Sequence, residues 1–348
     1  MKTQGAVLVE TGKPLELVEL EIPALKPGQV LVQIAVSGVC HTQLLESRGY
    51  RGKDNFLPHC LGHEGSGMVQ EVGPGVHKVQ AGERVALSWI KGSGADVSGS
   101  VYQWGDRRVN AGAITTFSRL SVISENRLTV IPEKTSMLDG AMLGCAVATG
   151  LGSVFNTAQP RPGQSLAVFG VGGVGLCAIA GAAIAGCTPI IALDINPQKL
   201  GLAKAMGATH GLDAGRPDCL EELNRLCPGG VDFAIESSGR PEVMAKTLSS
   251  VRNQGGVAVV IGNARFGELL QIDPKQLNLG KRLMGTWGGD NWPDRDFPRY
   301  LKLLDSGRLN LSPLLSKTYR LEQINEALDD LEAGRVARPL IQMAAESH

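Results

Sequence analysis

Four apolar residues, Leu166-Ala167-Val168-Phe169, lead without interruption into Gly170-Val171-Gly172-Gly173-Val174-Gly175, and a run of small residues follows. Gly170, Gly172 and Gly175 fall in the pattern G-x-G-x-x-G, with Gly173 and Val174 between them. Alone, that pattern matches many glycine-rich stretches. Between a strand and a helix it has a mechanical meaning: the glycines allow a tight turn and bring a pyrophosphate against unpaired N–H groups at a helix N-terminus. About twenty residues past the last glycine, the next apolar run ends at Asp194, where an acid accepts hydrogen bonds from an adenosine ribose. That carboxylate repels a 2′-phosphate, and no Arg follows in Ile195-Asn196-Pro197. NAD is therefore expected rather than NADP.

Around this turn, strand-like runs alternate with helical ones. Ser165–Phe169 precedes a helix from Gly173, and Ile190–Leu193 precedes a helix from Pro197. Val231–Ile235 precedes a helix from Pro241, and Val257–Ile261 follows. This alternation predicts a doubly wound parallel sheet of the Rossmann type, an α/β architecture. Asn196-Pro197 supplies an N-cap with Pro at the first helical position, and Gly207 is placed to end that helix. The part before about Cys145 reads differently. Val30–Val36, Gly67–Val72 and Arg84–Trp89 are short strands punctuated by Lys26-Pro27-Gly28 and Gly73-Pro74-Gly75, the rhythm of a β-rich barrel. The tail carries an amphipathic helix over Leu321–Ala333 and a short apolar strand, Pro339–Met343, expected to return to the first domain.

With 34 basic and 34 acidic residues among 348, the chain lacks the basic face that binding to nucleic-acid phosphates requires, and it lacks a polybasic membrane anchor. Its longest apolar stretch, Leu176–Cys187, is about half the length of a membrane span. Met1 to Leu8 has no charged-then-apolar leader pattern. Seven scattered Cys fit a reducing compartment rather than a disulfide framework, so a cytoplasmic protein is expected.

Three of those features suit a metal. Cys40 stands in Gly38-Val39-Cys40-His41-Thr42, His63 in Gly62-His63-Glu64-Gly65, and Cys145 in Leu143-Gly144-Cys145. Two thiolates and an imidazole suit Zn²⁺, and three protein ligands leave a fourth position open for water or substrate. Spacing alone decides little, because the residues are far apart. Read singly, Cys145 is equally a buried core thiol and His63 a satisfied structural histidine. Cys60, near His63, reads as core.

Taken together, these residues resemble the zinc alcohol dehydrogenases of the medium-chain dehydrogenase/reductase superfamily over nearly the whole chain, most closely from Leu143 to Asp194. The resemblance implies a GroES-like β-rich catalytic domain over residues 1–146 and 288–348, and a Rossmann NAD-binding domain over 147–287. It implies hydride transfer between a primary, secondary or polyol alcohol and NAD. It places the zinc ligands on Cys40, His63 and Cys145, a nearby acid on Glu64, and the proton-accepting hydroxyl on Thr42. His41 and Arg338 fall on residues that contact the cofactor pyrophosphate, and Asp194 and Lys199 on the ribose-contacting acid and its neighbour. Trp89 and Trp287 fall on positions that can line the substrate pocket. Relatives pair through the last strand of the Rossmann sheet, here Lys281–Trp287, so a homodimer or homotetramer is expected.

Three departures matter. Ser88 to Gly112 is shortened and has no Cys where many relatives hold a structural zinc, so one zinc per chain is expected. Leu45 stands where some relatives pass the proton to solvent through a His. Gln43 stands where relatives have an Asp bonded to the ligand His, and its amide oxygen is expected to orient the ring. The alternatives are a zinc-free NAD(P)H quinone or enoyl reductase of the same superfamily and a non-catalytic structural relative. Metal analysis separates both from the zinc enzyme.

Overall fold

Gln29–Gly38 alternates buried Val30, Val32, Ile34 and Val36 along one face, as a strand with two-residue periodicity must to bury a side. It is the axis of one of the two compact units into which the chain divides: Met1–Cys145, Trp292–Asp305 and the segment from Leu315 onward. The structure is a computed structural model that describes residues 1–315 and 317–343. Residues 344–348, the end of the expected 288–348 segment, lie outside the described residues. Gln29–Gly38 pairs antiparallel with Glu64–Val72, with Leu120–Ser124 and with the C-terminal strand Leu340–Gln342. Arg84–Ser88 and Leu128–Val130 extend the sheet on the Glu64–Val72 side, and Thr318–Arg320 on the other. A closed barrel of Lys2–Leu8, Glu16–Glu21, Ser100–Trp104, Arg107–Gly112 and the two-residue strand His59–Cys60 completes this unit.

The second unit, Ala146–Asn291 with Ser306–Leu314, holds a six-stranded parallel sheet. Its spatial order is His210–Asp213, Ile190–Asp194, Leu166–Phe169, Phe233–Glu236, Val257–Val260, Arg282–Gly285. That is the 3-2-1-4-5-6 order of a Rossmann sheet, whose ligand crevice opens beside the first strand, where the order reverses. The helices start where the sequence places them, at Gly173, Pro197 and Pro241. Asn196 caps the second of these through Gln198 N–H, and Gly207, at φ +110°, ends it. The expected tail helix is a 3₁₀ turn, Leu321–Gln323, continued by the α-helix Ile324–Glu332.

Between Met137 and Ala158 the backbone is continuously helical and 83% buried in its most apolar window. The stretch is long and apolar enough to cross a membrane by length and composition, but its burial is that of a core helix. Leu143–Val147 and Ser153–Ala158 within it are π-helical. Such wide turns rotate the side chains they carry away from the α-helical register. Cys145 lies in the first of them.

Candidate functional site

Cys40 is the N-cap of the short helix His41–Ser47, directly after the long strand that ends at Gly38. His63 sits between His59–Cys60 and Glu64–Val72, on a bend formed by Gly62 at φ +96°. A Cβ at Gly62 would lie 2.3 Å from the Thr116 hydroxyl, so no other residue fits there. Cys145 is drawn in by Gly144, where a Cβ would meet the Leu87 carbonyl at 2.0 Å; the Ser88 hydroxyl donates to the Gly144 carbonyl at 2.6 Å.

These three elements bring one ligand atom each from Cys40, His63 and Cys145 within 4.8 Å of one another. It is the one such group of three His, Cys, Asp or Glu residues among the described residues. The two sulfurs stand 3.9 Å apart. Two sulfurs at about 2.3 Å from a tetrahedral zinc would be separated by about 3.8 Å. His63 Nε2 is buried with no hydrogen-bond partner, an expensive condition for a polar atom unless a ligand satisfies it. Hydrogen bonding by Cys145, assisted by Arg338 and His63, holds the Cys40 thiol well below the usual range although burial opposes it. Burial alone pushes the Cys60 and Cys177 thiols up to about 12, as inert core thiols. The donor set, its spacing and the unpartnered imidazole nitrogen all fit zinc.

The surroundings are charged and closed. Glu64 is fully buried and forms an ion pair with Arg338, itself 4% exposed. A Cβ at Gly38 would lie 2.3 Å from Glu64 Oε1, so that glycine makes room for the carboxylate. Arg338, placed at a pyrophosphate by the sequence reading, thus has the Glu64 carboxylate as its partner, while its Nε has none. Thr42 Oγ1 is 3.8 Å from Cys40 Sγ, and His41 is exposed at the first position of the helix. Trp89 stands edge-on to His63, with ring centroids 6.4 Å apart.

Gln43 corrects an expectation. Its Oε1 accepts the Cys40 N–H at 2.8 Å, so its Nε2, not its oxygen, meets His63 Nδ1. The main-chain donor of Cys40 decides this, and no side-chain pattern announces it.

In the second unit, Gly170 at φ +82° and Gly175 close the turn after Leu166–Phe169. A Cβ at Gly175 would lie 2.1 Å from the Gly170 carbonyl oxygen. At Gly172 a Cβ would meet nothing within 4 Å. The helix Gly173–Ile184 has no side-chain cap and no acid in its first turn, so its N-terminal N–H groups face an open cradle. Asp194 Oδ2 accepts the Val171 N–H at 2.8 Å and Oδ1 the Asn196 N–H at 2.9 Å, which ties the acid to the turn. Lys199 is half-buried on Pro197–Ala205, and Trp287 is 75% exposed after the edge strand Arg282–Gly285. The cradle and its acid fit a dinucleotide.

Sequence reasoning passed over Glu236, at the end of the neighbouring strand Phe233–Glu236. Its Oε1 holds the N–H groups of Ser238 and Gly239, and burial pushes its carboxyl up. An acid closing an apolar strand, as Asp194 does, was the available signal.

Two family models match this chain: the alcohol dehydrogenase GroES-like domain over residues 26–133 and the zinc-binding dehydrogenase over residues 173–306. An S-(hydroxymethyl)glutathione dehydrogenase of Synechocystis sp. is 35% identical over 98% of this chain and 100% of its own length. One from Photobacterium damsela subsp. piscicida is 34% identical with the same coverage. Among solved structures, an alcohol dehydrogenase zinc-binding domain protein from Burkholderia ambifaria superposes with a TM-score of 0.91 at 31% identity, covering 99% of this chain and 100% of that one. Benzyl alcohol dehydrogenase from Acinetobacter calcoaceticus does so at 0.90 and 29%, with the same coverage.

Proposed function

The chain belongs to the zinc-dependent alcohol dehydrogenases of the medium-chain superfamily, and on that footing we propose that it oxidises an alcohol to its aldehyde or ketone, reversibly, with NAD and one zinc per chain held by Cys40, His63 and Cys145. The observation that carries the reading is the meeting of those three donors around a buried imidazole nitrogen that has no other partner. Bound there, zinc supplies Lewis acidity that lowers the pKa of the substrate hydroxyl. NAD supplies the hydride acceptor.

The chain's own residues do the rest. Thr42 Oγ1 takes the alcohol's proton and gives up its own. Glu64, neutralised by Arg338, sets the charge beneath the ligand residues. His41 offers its imidazole to the cofactor pyrophosphate. Gly170, Gly172 and Gly175 leave the helix N-terminus of Gly173–Ile184 open to the pyrophosphate, and Asp194 accepts from the ribose, with Lys199 beside it. Residues 1–146 and 288–348 form the catalytic part and 147–287 the NAD-binding part.

The edge-on approach of Trp89 to His63 supports an uncharged, fairly apolar alcohol. The edge strand Arg282–Gly285, with Leu279, Met284 and Trp287 exposed around it, supports a homodimer or homotetramer. Seven free thiols accord with a cytoplasmic setting.

Metal analysis with a screen of NAD reduction against primary, secondary and sugar alcohols tests the reading. About one zinc per chain and turnover of an alcohol are expected. A purified protein that binds no zinc, even after zinc is supplied, would return the chain to the zinc-free reductases.

A further inference from the structure

A proton taken from an alcohol has to reach water, and a threonine hydroxyl can pass a proton on but not store it. In the helix His41–Ser47, Gln43, Leu44, Leu45 and Ser47 are buried, whereas Thr42 and Glu46 are half-open. The two stand four residues apart, one above the other on a single helix face. Leu45, the position of the relay histidine in some relatives, is 4% exposed and carries no titratable atom.

The Glu46 side chain, one helical turn beyond Thr42 on the same face, is 31% exposed, so it reaches solvent. Arg51 Nη1 stands 3.9 Å from Oε1, a loose contact that leaves the carboxylate able to take a proton. His59 Nε2 is already engaged by Asp54 Oδ2 at 2.8 Å. On the helix Ile324–Glu332, which packs against this one, Asp329 and Glu332 are engaged by Arg48.

Resting on the alcohol-oxidation reading above, we infer that Glu46 receives the substrate proton through Thr42 and delivers it to solvent. The alcohol O–H bond breaks and its proton bonds to Thr42 Oγ1. Thr42's own hydroxyl proton passes to a Glu46 carboxylate oxygen, across water where the gap needs it, and from there to bulk water. The electron pair of the C–H bond leaves with the hydride to NAD. Glu46 acts through Thr42, as a positioning residue that offers the proton its next acceptor. Burial pushes its carboxyl up from the ordinary value. Only the ionised form accepts, so the hydride step gains rate as pH rises through that raised value.

The experiment compares the zinc-loaded wild type with Glu46→Gln and Glu46→Asp, using benzyl alcohol as probe. NAD reduction and proton release to an indicator dye are followed in single turnovers across pH, with zinc content measured on each protein. Glu46→Gln is expected to keep its zinc, to slow both signals by about 100-fold and to lose the rising acidic limb. Small carboxylic acids added to the buffer restore part of its rate, and Glu46→Asp keeps most of it. A Glu46→Gln enzyme with the wild-type rate and pH profile overturns the inference. So does one whose loss of rate follows loss of zinc, since the role is then structural. A wild type that binds no zinc and leaves NAD unreduced with every alcohol tried defeats the underlying reading instead.

Discussion

The Cys40 and Cys145 sulfurs are 3.9 Å apart and not joined by a disulfide, although the two residues are separated by 105 positions in the chain. A disulfide would need about 2.05 Å between sulfurs. The gap is close to the roughly 3.8 Å that two thiolates on one tetrahedral zinc would show. Replacing either with Ala is expected to take the zinc content from about one per chain to none and to abolish turnover, because a single thiolate and an imidazole hold zinc poorly. Elemental analysis of the purified Cys40→Ala and Cys145→Ala proteins checks this. Either variant retaining both zinc and activity would remove the metal centre from the mechanism.

Glu125 ties Ala95, in the segment that follows Ser88, to His77 and Lys78. Its carboxylate, 3% exposed, accepts the N–H groups of His77 at 3.1 Å, Lys78 at 3.3 Å and Ala95 at 2.7 Å. Glu125→Ala leaves these donors short of partners, and the expected loss of stability is about 2–4 kcal/mol. Urea unfolding measures it. A change below about 0.5 kcal/mol, typical of a neutral surface substitution, would show that water replaces the carboxylate freely.

Asp330 is held in its ionised form by three neighbours. Lys317, Tyr319 and Arg335 hydrogen-bond its carboxylate, in that order of weight, and hold it far below the usual range. A carboxyl depressed in the folded state stabilises fully above its unfolded pKa of about 3.9 and loses that contribution as pH falls below it. Asp330→Asn is therefore expected to lower Tm at pH 7 but to shrink the gap from wild type as pH drops from about 4 toward 2. Thermal melts across pH decide it; a gap constant with pH refutes the ion-pair account.

How much of this was legible in the sequence depends on how local each feature is. Leu166–Phe169, Gly170–Gly175 and Asp194 are read directly, because a buried parallel strand is an unbroken apolar run and its turn is glycine. The barrel is harder. Glu16–Glu21 is mostly charged and aliphatic in alternation, and His59–Cys60 is too short to carry a pattern. The three ligand residues are visible as types, but their meeting depends on a π-helical turn at Leu143–Val147 that no residue pattern marks. The pairing of Glu64 with Arg338 and the gathering of three N–H groups by Glu125 join distant stretches, so only the folded chain discloses them.

Asp194 is tied to the glycine turn through the Val171 N–H, so it cannot swing away from whatever occupies the ribose position. Asp194→Ala removes a fixed negative charge that a 2′-phosphate would face. NADPH binding is expected to strengthen at least tenfold while NADH weakens, about 1.4 kcal/mol for each tenfold change. Titration of intrinsic fluorescence with both cofactors checks it. Unchanged preference would place discrimination elsewhere in the second unit.

Gln43 bridges Cys40 and His63. With Oε1 committed to the Cys40 N–H, the amide presents N–H to His63 Nδ1. Nε2 is the buried nitrogen without a partner, the one a metal needs free of hydrogen. A zinc held at Nε2 would require the ring proton on Nδ1, where it would face the amide N–H unless the amide turned and abandoned Cys40. A carboxylate at position 43 accepts from both groups at once. Gln43→Glu is thus expected to tighten zinc about tenfold or more, the scale at which partners of metal-bound histidines act. Competition with a chromophoric chelator measures it independently of turnover. If Gln43→Glu binds zinc more weakly than the wild type, the amide does not limit the site, and its contact with Nδ1 already suits a metal-bound ring.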